Sequence, residues 1–180
     1  EKARGLSDCL LSLPGIIFEA HSTDYQTEDS LHALVANGFA ILKVGPWLTF
    51  ALREALYGLD GIADVMDGQA PKGGLMSSMD TIMRASPETW NKYYSGDATE
   101  LWLQRHFSLS DRIRYYWPDP RAREAVDKLR DRLTGRTIPA PVAHQFLQLA
   151  AIPQAGGEYR ELLVDSVTSV LAIYENATTP

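Results

Sequence analysis

Two short apolar stretches near the start of the chain are each followed by a helical pattern of apolar residues. Residues 16–20 are β-branched and aromatic and predict a strand, and residues 39–44 are almost continuously apolar, as in a strand covered on both faces. Apolar residues then repeat at helical spacing around Leu31, and again after the second strand as far as Met66. Two successive βα units predict parallel strands with right-handed crossovers, as in a doubly wound sheet or a (β/α)8 barrel.

Most of the remaining chain has the pattern of helices, interrupted by one further candidate strand. Asp97 and Glu100 have the spacing of a capping box and predict the start of a helix. Residues 112–117 have the sequence RIRYYW and predict a third strand. The pair Asp119-Pro120 is typical of a helix N-terminus, and this helix is expected to end at Gly135.

The composition excludes several classes of function. The chain has 180 residues, of which 45% are hydrophobic and 22% charged, as is usual for a soluble globular protein. A net charge of −6 argues against binding to nucleic acid or to an anionic membrane surface. No apolar stretch approaches the roughly 20 residues of a membrane-spanning helix. The sequence contains neither a Gly-rich phosphate loop nor a GxGxxG motif, and we therefore expect no nucleotide cofactor.

The single cysteine, Cys9, cannot form an internal disulfide. This fits a reducing compartment, and we expect a cytoplasmic protein. Cys9 lies at helical spacing with Leu6, Leu10 and Leu13. The pattern predicts a helix with a buried, structural thiol, because an apolar environment disfavours the reactive thiolate.

The residues that follow the first strand carry much of the polar chemistry of the chain. His21 comes directly after the strand end, where a neutral imidazole can bind a divalent metal, although a single histidine more often has a structural role. Ser22, Thr23 and Asp24 offer donors and acceptors for sugar hydroxyls or phosphate, and the alternative is a turn that caps its own helix. Active sites of parallel barrels are built from such strand ends.

A second group of candidates lies where the strand of residues 39–44 runs into a helix. Gly45 and Thr49 are close to the free N–H groups of the helix N-terminus, which can bind phosphate. Arg53, about one turn further on, adds either a charged donor or a surface pair with a neighbour on its own helix. Lys43 is either a Schiff-base lysine or, as is more usual, a lysine paired with an acid.

Several long segments of the chain resemble one family of proteins. They resemble the tagatose-bisphosphate aldolase accessory-subunit family, which serves galactitol and N-acetylgalactosamine catabolism. The segments are FEAHSTDYQT, FAILKVGP and LTFALREAL on either side of Trp47, and SLSDRIRYYWPDPR. The same family is resembled by PETWNKYYSGD and YRELLVDSVTSVLAIYENA, so that the similarity spans nearly the whole chain. The family is similar to class II, metal-dependent aldolases, which have a (β/α)8 barrel.

The resemblance implies an α/β fold, namely the C-terminal part of a TIM barrel with about three parallel strands. Residues 1–66 would form a βαβα portion of the barrel, and residues 67–109 a helical insertion. Residues 110–135 would form the last barrel strand and its helix. Residues 136–180 would form a helical C-terminal tail that packs with the insertion. The remainder of the barrel would lie upstream, outside this sequence.

By the same resemblance, His21 takes the position of a zinc ligand, and the other zinc ligands would lie outside this sequence. The two strand-end loops would hold the phosphate of a phosphorylated ketohexose. Their candidate residues are Ser22, Thr23, Asp24, Gly45, Thr49 and Arg53. The chain departs from catalytic class II aldolases because the loop after His21 is not glycine-rich and because Gly45 replaces a polar residue. Both departures argue against aldolase catalysis.

Three functions follow from the resemblance. The first is a non-catalytic subunit in an oligomer, which supports the activity or stability of a separate, catalytic D-tagatose-1,6-bisphosphate aldolase. The alternative is a zinc-dependent D-tagatose 6-phosphate 4-epimerase, which would form fructose 6-phosphate by retro-aldol cleavage and recombination on the opposite face. The third, a tagatose-6-phosphate kinase, fits least because the chain has no nucleotide-binding motif.

Overall fold

A computed structural model describes residues 4–10 and 12–179, and these residues contain one sheet of two parallel strands. The first strand, β1 (Phe18–Ala20), pairs with β2 (Phe39–Leu42), and helix α2 (Glu28–Ala36) connects them. The predicted parallel βα arrangement is confirmed. Both strands are shorter than the apolar stretches that predicted them.

The rest of the described chain is mainly helical. The other α-helices are α1 (Arg4–Leu10), α3 (Pro46–Met66), α4 (Gly74–Ala85), α5 (Ala98–Phe107), α6 (Pro120–Leu133), α7 (Ala140–Phe146) and α8 (Tyr159–Thr178), and short 3-10 helices span Pro87–Thr89 and Arg112–Tyr116. The predicted side-chain caps of α5 and α6 are confirmed at Asp97, which forms a capping box, and at Asp119. Among the helices of the described residues, none has the length and apolar character needed to cross a membrane.

Helices cover one face of the sheet. Leu31, Ala51 and Val170, from α2, α3 and α8, form a buried cluster against which Leu42 of β2 packs. On the opposite face, Ile41 of β2 is exposed. The prediction that the second strand is covered on both faces therefore does not hold within the described residues.

A larger core surrounds α3. Leu59 and Ile62 of this helix are fully buried together with Met79 and Met83 of α4 and with Ile113. Helices α4, α6 and α7 all pack against α3. Because α3 starts a few residues after β2, it connects the sheet to this core.

The third strand predicted at residues 112–117 is wrong, because Arg112–Tyr116 forms a 3-10 helix. Asp111, directly before it, has a φ of 45°, a left-handed conformation that does not continue an extended strand. Ile113 and Tyr116 are both buried. Their spacing of three fits one turn of a 3-10 helix and not the alternation of a strand. This helix takes the place of the predicted last barrel strand.

The thiol of Cys9 is exposed, so the prediction that it is buried is wrong. Leu6 and Leu13 on the same stripe are also exposed. The Ser7 hydroxyl of helix α1 donates to the carbonyl of Asn37 at 2.6 Å. Leu10 of the stripe is half-buried and lies against Gly38, so that the stripe is only partly covered by the described residues.

The C-terminal helix α8 packs beside the sheet. Its main contacts are with α2 and α3, and they involve Val170, Tyr174 and Ala177. At its start, Tyr159 and Leu162 belong to the larger core that also contains Met79 and Met83, so that α8 contributes to both clusters. An apolar stripe indicates that a helix has a buried face, but it does not identify the partner.

His106 of α5 is a fully buried histidine between two hydrogen-bonding groups. Its Nδ1 lies 2.7 Å from the Tyr57 hydroxyl, and its Nε2 lies 3.4 Å from the Asp80 carboxylate. Burial lowers the pKa of His106 to about 4, and the nearby Asp80 opposes this shift only in part. The imidazole is therefore neutral in the folded protein at neutral pH.

We expect the protein to lose stability as the pH falls from 6.5 to about 4, because His106 then takes up a proton in the unfolded chain but not in the folded one. The contribution of His106 to the free energy of unfolding is complete above pH 6.5. Its loss at low pH amounts to at most about 3 kcal/mol. Urea unfolding of the wild type and of His106→Gln over this pH range measures the effect, and the variant should show the flatter dependence. The exposed His144→Gln is the control. Equal pH slopes for the wild type and His106→Gln would contradict the prediction.

Candidate functional site

The exposed face of the sheet brings three titratable side chains together. His21 Nε2 lies 2.9 Å from Glu19 Oε1, and Lys43 Nζ lies 3.7 Å from the same oxygen. The side chains of His21 and Lys43 are 64% and 58% exposed, so that both are accessible to a ligand. They lie at the carboxyl ends of two parallel strands, where such sheets usually place their sites.

Reasoning from the sequence identifies His21 and considers Lys43 but misses Glu19. Glu19 is the middle residue of β1, between Phe18 and Ala20. A charged residue inside an apolar strand is a usable signal, because residues two apart, such as Glu19 and His21, lie on the same face. The alternation of the strand alone is therefore enough to link the two side chains.

Glu19 and His21 have the chemistry of part of a metal site. Because Glu19 faces Nε2 of the imidazole, Nδ1 is the nitrogen that remains for a metal. A carboxylate that holds the far nitrogen of a ligating histidine is the usual arrangement at zinc sites. Within the described residues, no group of three or more His, Cys, Asp or Glu side chains could hold a metal ion. Further ligands would therefore have to come from outside these residues.

The turn between β1 and α2 is held by buried and strained residues. Ser22 and Tyr25 have φ angles of 57° and 61°, in the left-handed region that residues other than glycine seldom adopt. Thr23 is buried, and its hydroxyl donates to the carbonyl of Lys43 at 2.8 Å and lies 3.0 Å from the hydroxyl of Tyr174. Of the predicted binding residues in this turn, Ser22 is exposed and Thr23 is not accessible to a ligand.

Asp24 caps helix α3. Its Oδ1 accepts hydrogen bonds from the backbone N–H groups of Gly45 at 2.8 Å and of Trp47 at 2.9 Å. The carboxylate thus lies at the helix N-terminus where the sequence predicted phosphate. A Cβ on Gly45 would come within 3.3 Å of Asp24 Oδ2, so that glycine leaves room for this cap. The Thr49 hydroxyl donates to the carbonyl of Pro46 within the same helix at 3.0 Å.

Replacement of Asp24 by alanine should destabilise the protein by about 1 kcal/mol, because two N–H groups at the start of α3, those of Gly45 and Trp47, lose their acceptor. Asp24→Asn retains a side-chain oxygen and is the matched control, expected to stay close to the wild type. Urea midpoints at constant pH measure both variants. Equal midpoints for Asp24→Ala and the wild type would show that the cap does not stabilise the folded state.

Arg53 does not reach the exposed face of the sheet. Its Nε donates to Asp111 Oδ1 at 2.8 Å, and the two side chains are only 3% and 0% exposed. Its guanidinium also lies over the ring of Phe50, 4.2 Å from the ring centre. The geometry gives Arg53 a role in an interior ion pair. The sequence carries no signal for this pair, because the two residues are 58 positions apart.

Comparisons with known proteins identify a family and two relatives that this chain resembles. The model of the family described as "D-tagatose-1,6-bisphosphate aldolase subunit GatZ/KbaZ-like" matches residues 1–179. A protein of Agrobacterium fabrum named D-tagatose 6-phosphate 4-epimerase is 50% identical over 179 residues, which are 99% of this chain and 42% of that protein. The crystal structure of a probable tagatose 6 phosphate kinase from Sinorhizobium meliloti 1021 is 51% identical with a TM-score of 0.89, and the match covers 98% of this chain and 46% of that one. The chain thus spans less than half the length of these relatives.

Proposed function

This chain belongs to the GatZ/KbaZ-like family of D-tagatose-1,6-bisphosphate aldolase subunits, and we propose that it contributes to the active site of a D-tagatose 6-phosphate 4-epimerase. The observation that carries the proposal is the exposed cluster of Glu19, His21 and Lys43 at the strand ends. A scaffold alone does not need an accessible imidazole–carboxylate pair at this position. The choice of reaction is supported by the relative named D-tagatose 6-phosphate 4-epimerase, which is 50% identical.

Epimerisation at C4 breaks and re-forms one carbon–carbon bond. The C4 hydroxyl loses its proton, the electron pair of the C3–C4 bond moves toward the C2 carbonyl, and C4 becomes an aldehyde. The aldehyde then presents its other face, the same bond re-forms, and the C4 oxygen regains a proton. Substrate and product contain the same atoms at the same oxidation level, so the reaction needs no oxidant and no nucleotide.

Each residue of the exposed face has a role in this proposal. His21 would bind a zinc ion through Nδ1, and Glu19 would orient the imidazole through its Nε2. When bound, zinc supplies Lewis-acid polarisation of the ketose carbonyl. Lys43 offers an ammonium group to the anionic sugar phosphate. Ser22, which is exposed beside His21, offers a hydroxyl to the sugar.

The test is an NMR time course of D-tagatose 6-phosphate with the natural protein that contains this chain, without any partner aldolase. Fructose 6-phosphate should form in the presence of zinc, and its formation should stop after chelation and resume when zinc is restored. No turnover at any zinc concentration would reject the epimerase proposal.

A second candidate function, support of a separate tagatose-bisphosphate aldolase, is favoured by exposed apolar side chains in and after α5. Leu103, Phe107 and Leu109 are 46%, 47% and 56% exposed. Leu103 and Phe107 are one helical turn apart on α5, and neighbouring exposed apolar groups are typical of a surface that binds another protein. The description of the family as an aldolase subunit supports this candidate as well.

The two candidate functions are separated by a partner assay. If the protein supports an aldolase, its addition should raise the activity or thermal stability of the aldolase, and Leu103→Glu with Leu109→Glu should abolish the gain. Leu171→Glu is the matched control, because Leu171 is 45% exposed but lies on α8. An equal loss with Leu171→Glu would point to a general effect of the new charge and would reject the surface on α5.

A further inference from the structure

A buried chain of two hydrogen bonds links helix α8 to the ends of both strands. The Thr23 hydroxyl donates to the carbonyl of Lys43 at 2.8 Å and lies 3.0 Å from the Tyr174 hydroxyl. Because threonine has one hydroxyl proton, which goes to Lys43, Tyr174 must be the donor to Thr23. Thr23 is 1% exposed and Tyr174 is 9% exposed, so water does not compete for these bonds.

These hydrogen bonds hold the backbone next to His21 and at Lys43, the two sides of the candidate site. Thr23 lies two residues after His21, and the carbonyl that it holds belongs to Lys43, whose ammonium lies on the exposed face. Ser22, between His21 and Thr23, has a φ of 57°. A residue in this sparsely populated region persists only where its surroundings hold it in place.

The hydroxyl groups are not needed to attach α8 to the protein. The helix is held by an apolar cluster that includes Leu31, Ala51 and Val170, all fully buried. Tyr174 also contacts the ring of Trp47 edge-on, with 6.0 Å between ring centres. Removal of one hydroxyl should therefore leave the packing of α8 in place and change only the hydrogen-bond chain.

We propose that Thr23 and Tyr174 are positioning residues, which hold the backbone so that His21 and Lys43 present their side chains together on the exposed face. The proposal rests on the proposed function, because the binding of a metal ion and a sugar phosphate at the exposed face is part of that function. It extends the site to helix α8, which is distant along the chain, since Thr23 and Tyr174 are 151 positions apart.

The experiment uses Thr23→Val, Thr23→Ser and Tyr174→Phe in the natural protein. The control is Tyr159→Phe, which removes a hydroxyl from a tyrosine of the same helix that is equally buried, 9% exposed. The first measurement is the imidazole NMR signal of His21 in the metal-free protein, assigned by its absence in His21→Gln. The second is the zinc dissociation constant, obtained by competition with a chelator.

The His21 signal should shift or broaden in Thr23→Val and Tyr174→Phe but not in Tyr159→Phe, and Thr23→Ser should restore it. Zinc affinity should fall by about tenfold to a hundredfold in the first two variants, as for groups that orient a metal ligand. An unchanged His21 signal in both variants, or a Thr23→Ser variant as impaired as Thr23→Val, would overturn the proposal. A wild type that does not turn over sugar phosphate would reject the epimerase alone, because the His21 signal still decides the positioning role.

Discussion

Replacement of His21 by alanine should reduce the turnover of D-tagatose 6-phosphate by about a thousandfold, since loss of a metal ligand removes several kcal/mol of transition-state stabilisation. Glu19→Gln should cost less, about tenfold to a hundredfold, because it weakens the group that orients the imidazole and leaves the ligand in place. The measurement is kcat/KM from the same NMR time course that tests the proposed function. His144→Ala, at an exposed histidine outside the site, should leave kcat/KM unchanged.

The order of these effects separates a ligand from a merely nearby group. If His21 binds zinc, its replacement is more damaging than that of Glu19, and excess zinc does not rescue it. If both variants lose the same tenfold factor, the two side chains act as a hydrogen-bonded pair and neither is a ligand. Full activity in His21→Ala would remove the main support for the epimerase and leave the aldolase-subunit candidate.

Local chemistry explains which parts of the fold can be predicted. Asp97 and Asp119 cap helices through N–H groups two or three residues away, so the signal and its effect lie in the same short segment. The two parallel strands follow from apolar stretches separated by a helical pattern. Each of these predictions depends on neighbours in the sequence, and each is confirmed.

The third predicted strand is wrong for the opposite reason. Residues 112–117 are rich in aromatic and β-branched types, which favours a strand locally. In the structure, Asp111 is held in a left-handed conformation next to Arg53 of α3, a residue distant in sequence. Tertiary contacts of this kind override local propensity, and a single sequence does not reveal them.

The candidate site shows a related limit. His21 is identifiable from the sequence because its position after a strand is a local property. The sequence leaves open whether Thr23 and Asp24 bind a ligand or stabilise a turn, and in the structure their polar groups are bonded within the protein. A sequence shows that a donor or acceptor exists but not whether the chain itself supplies its partner. The distinction depends on how distant segments meet in the fold.

The Arg53–Asp111 ion pair gives the largest stability effect that we expect. Arg53→Met should destabilise the protein by about 3–5 kcal/mol, because it leaves the fully buried Asp111 carboxylate without its counter-charge. The pair is already under-satisfied, since Arg53 Nη2 and Asp111 Oδ2 have no hydrogen-bond partner among the described residues. The double variant Arg53→Met with Asp111→Asn should recover much of the loss, as it buries no charge and asparagine tolerates the left-handed conformation.

Urea unfolding of the two single variants and the double variant forms a cycle that isolates the coupling between the charges. Lys128→Met is the control, because its pair with Glu124 is 72% and 65% exposed and is screened by solvent, so that its loss should hardly change the free energy of unfolding. If the double variant is destabilised by the sum of the single changes, the charges are not coupled. The importance of Arg53 would then lie in its packing over Phe50, and the left-handed turn at Asp111 would need another source of stability.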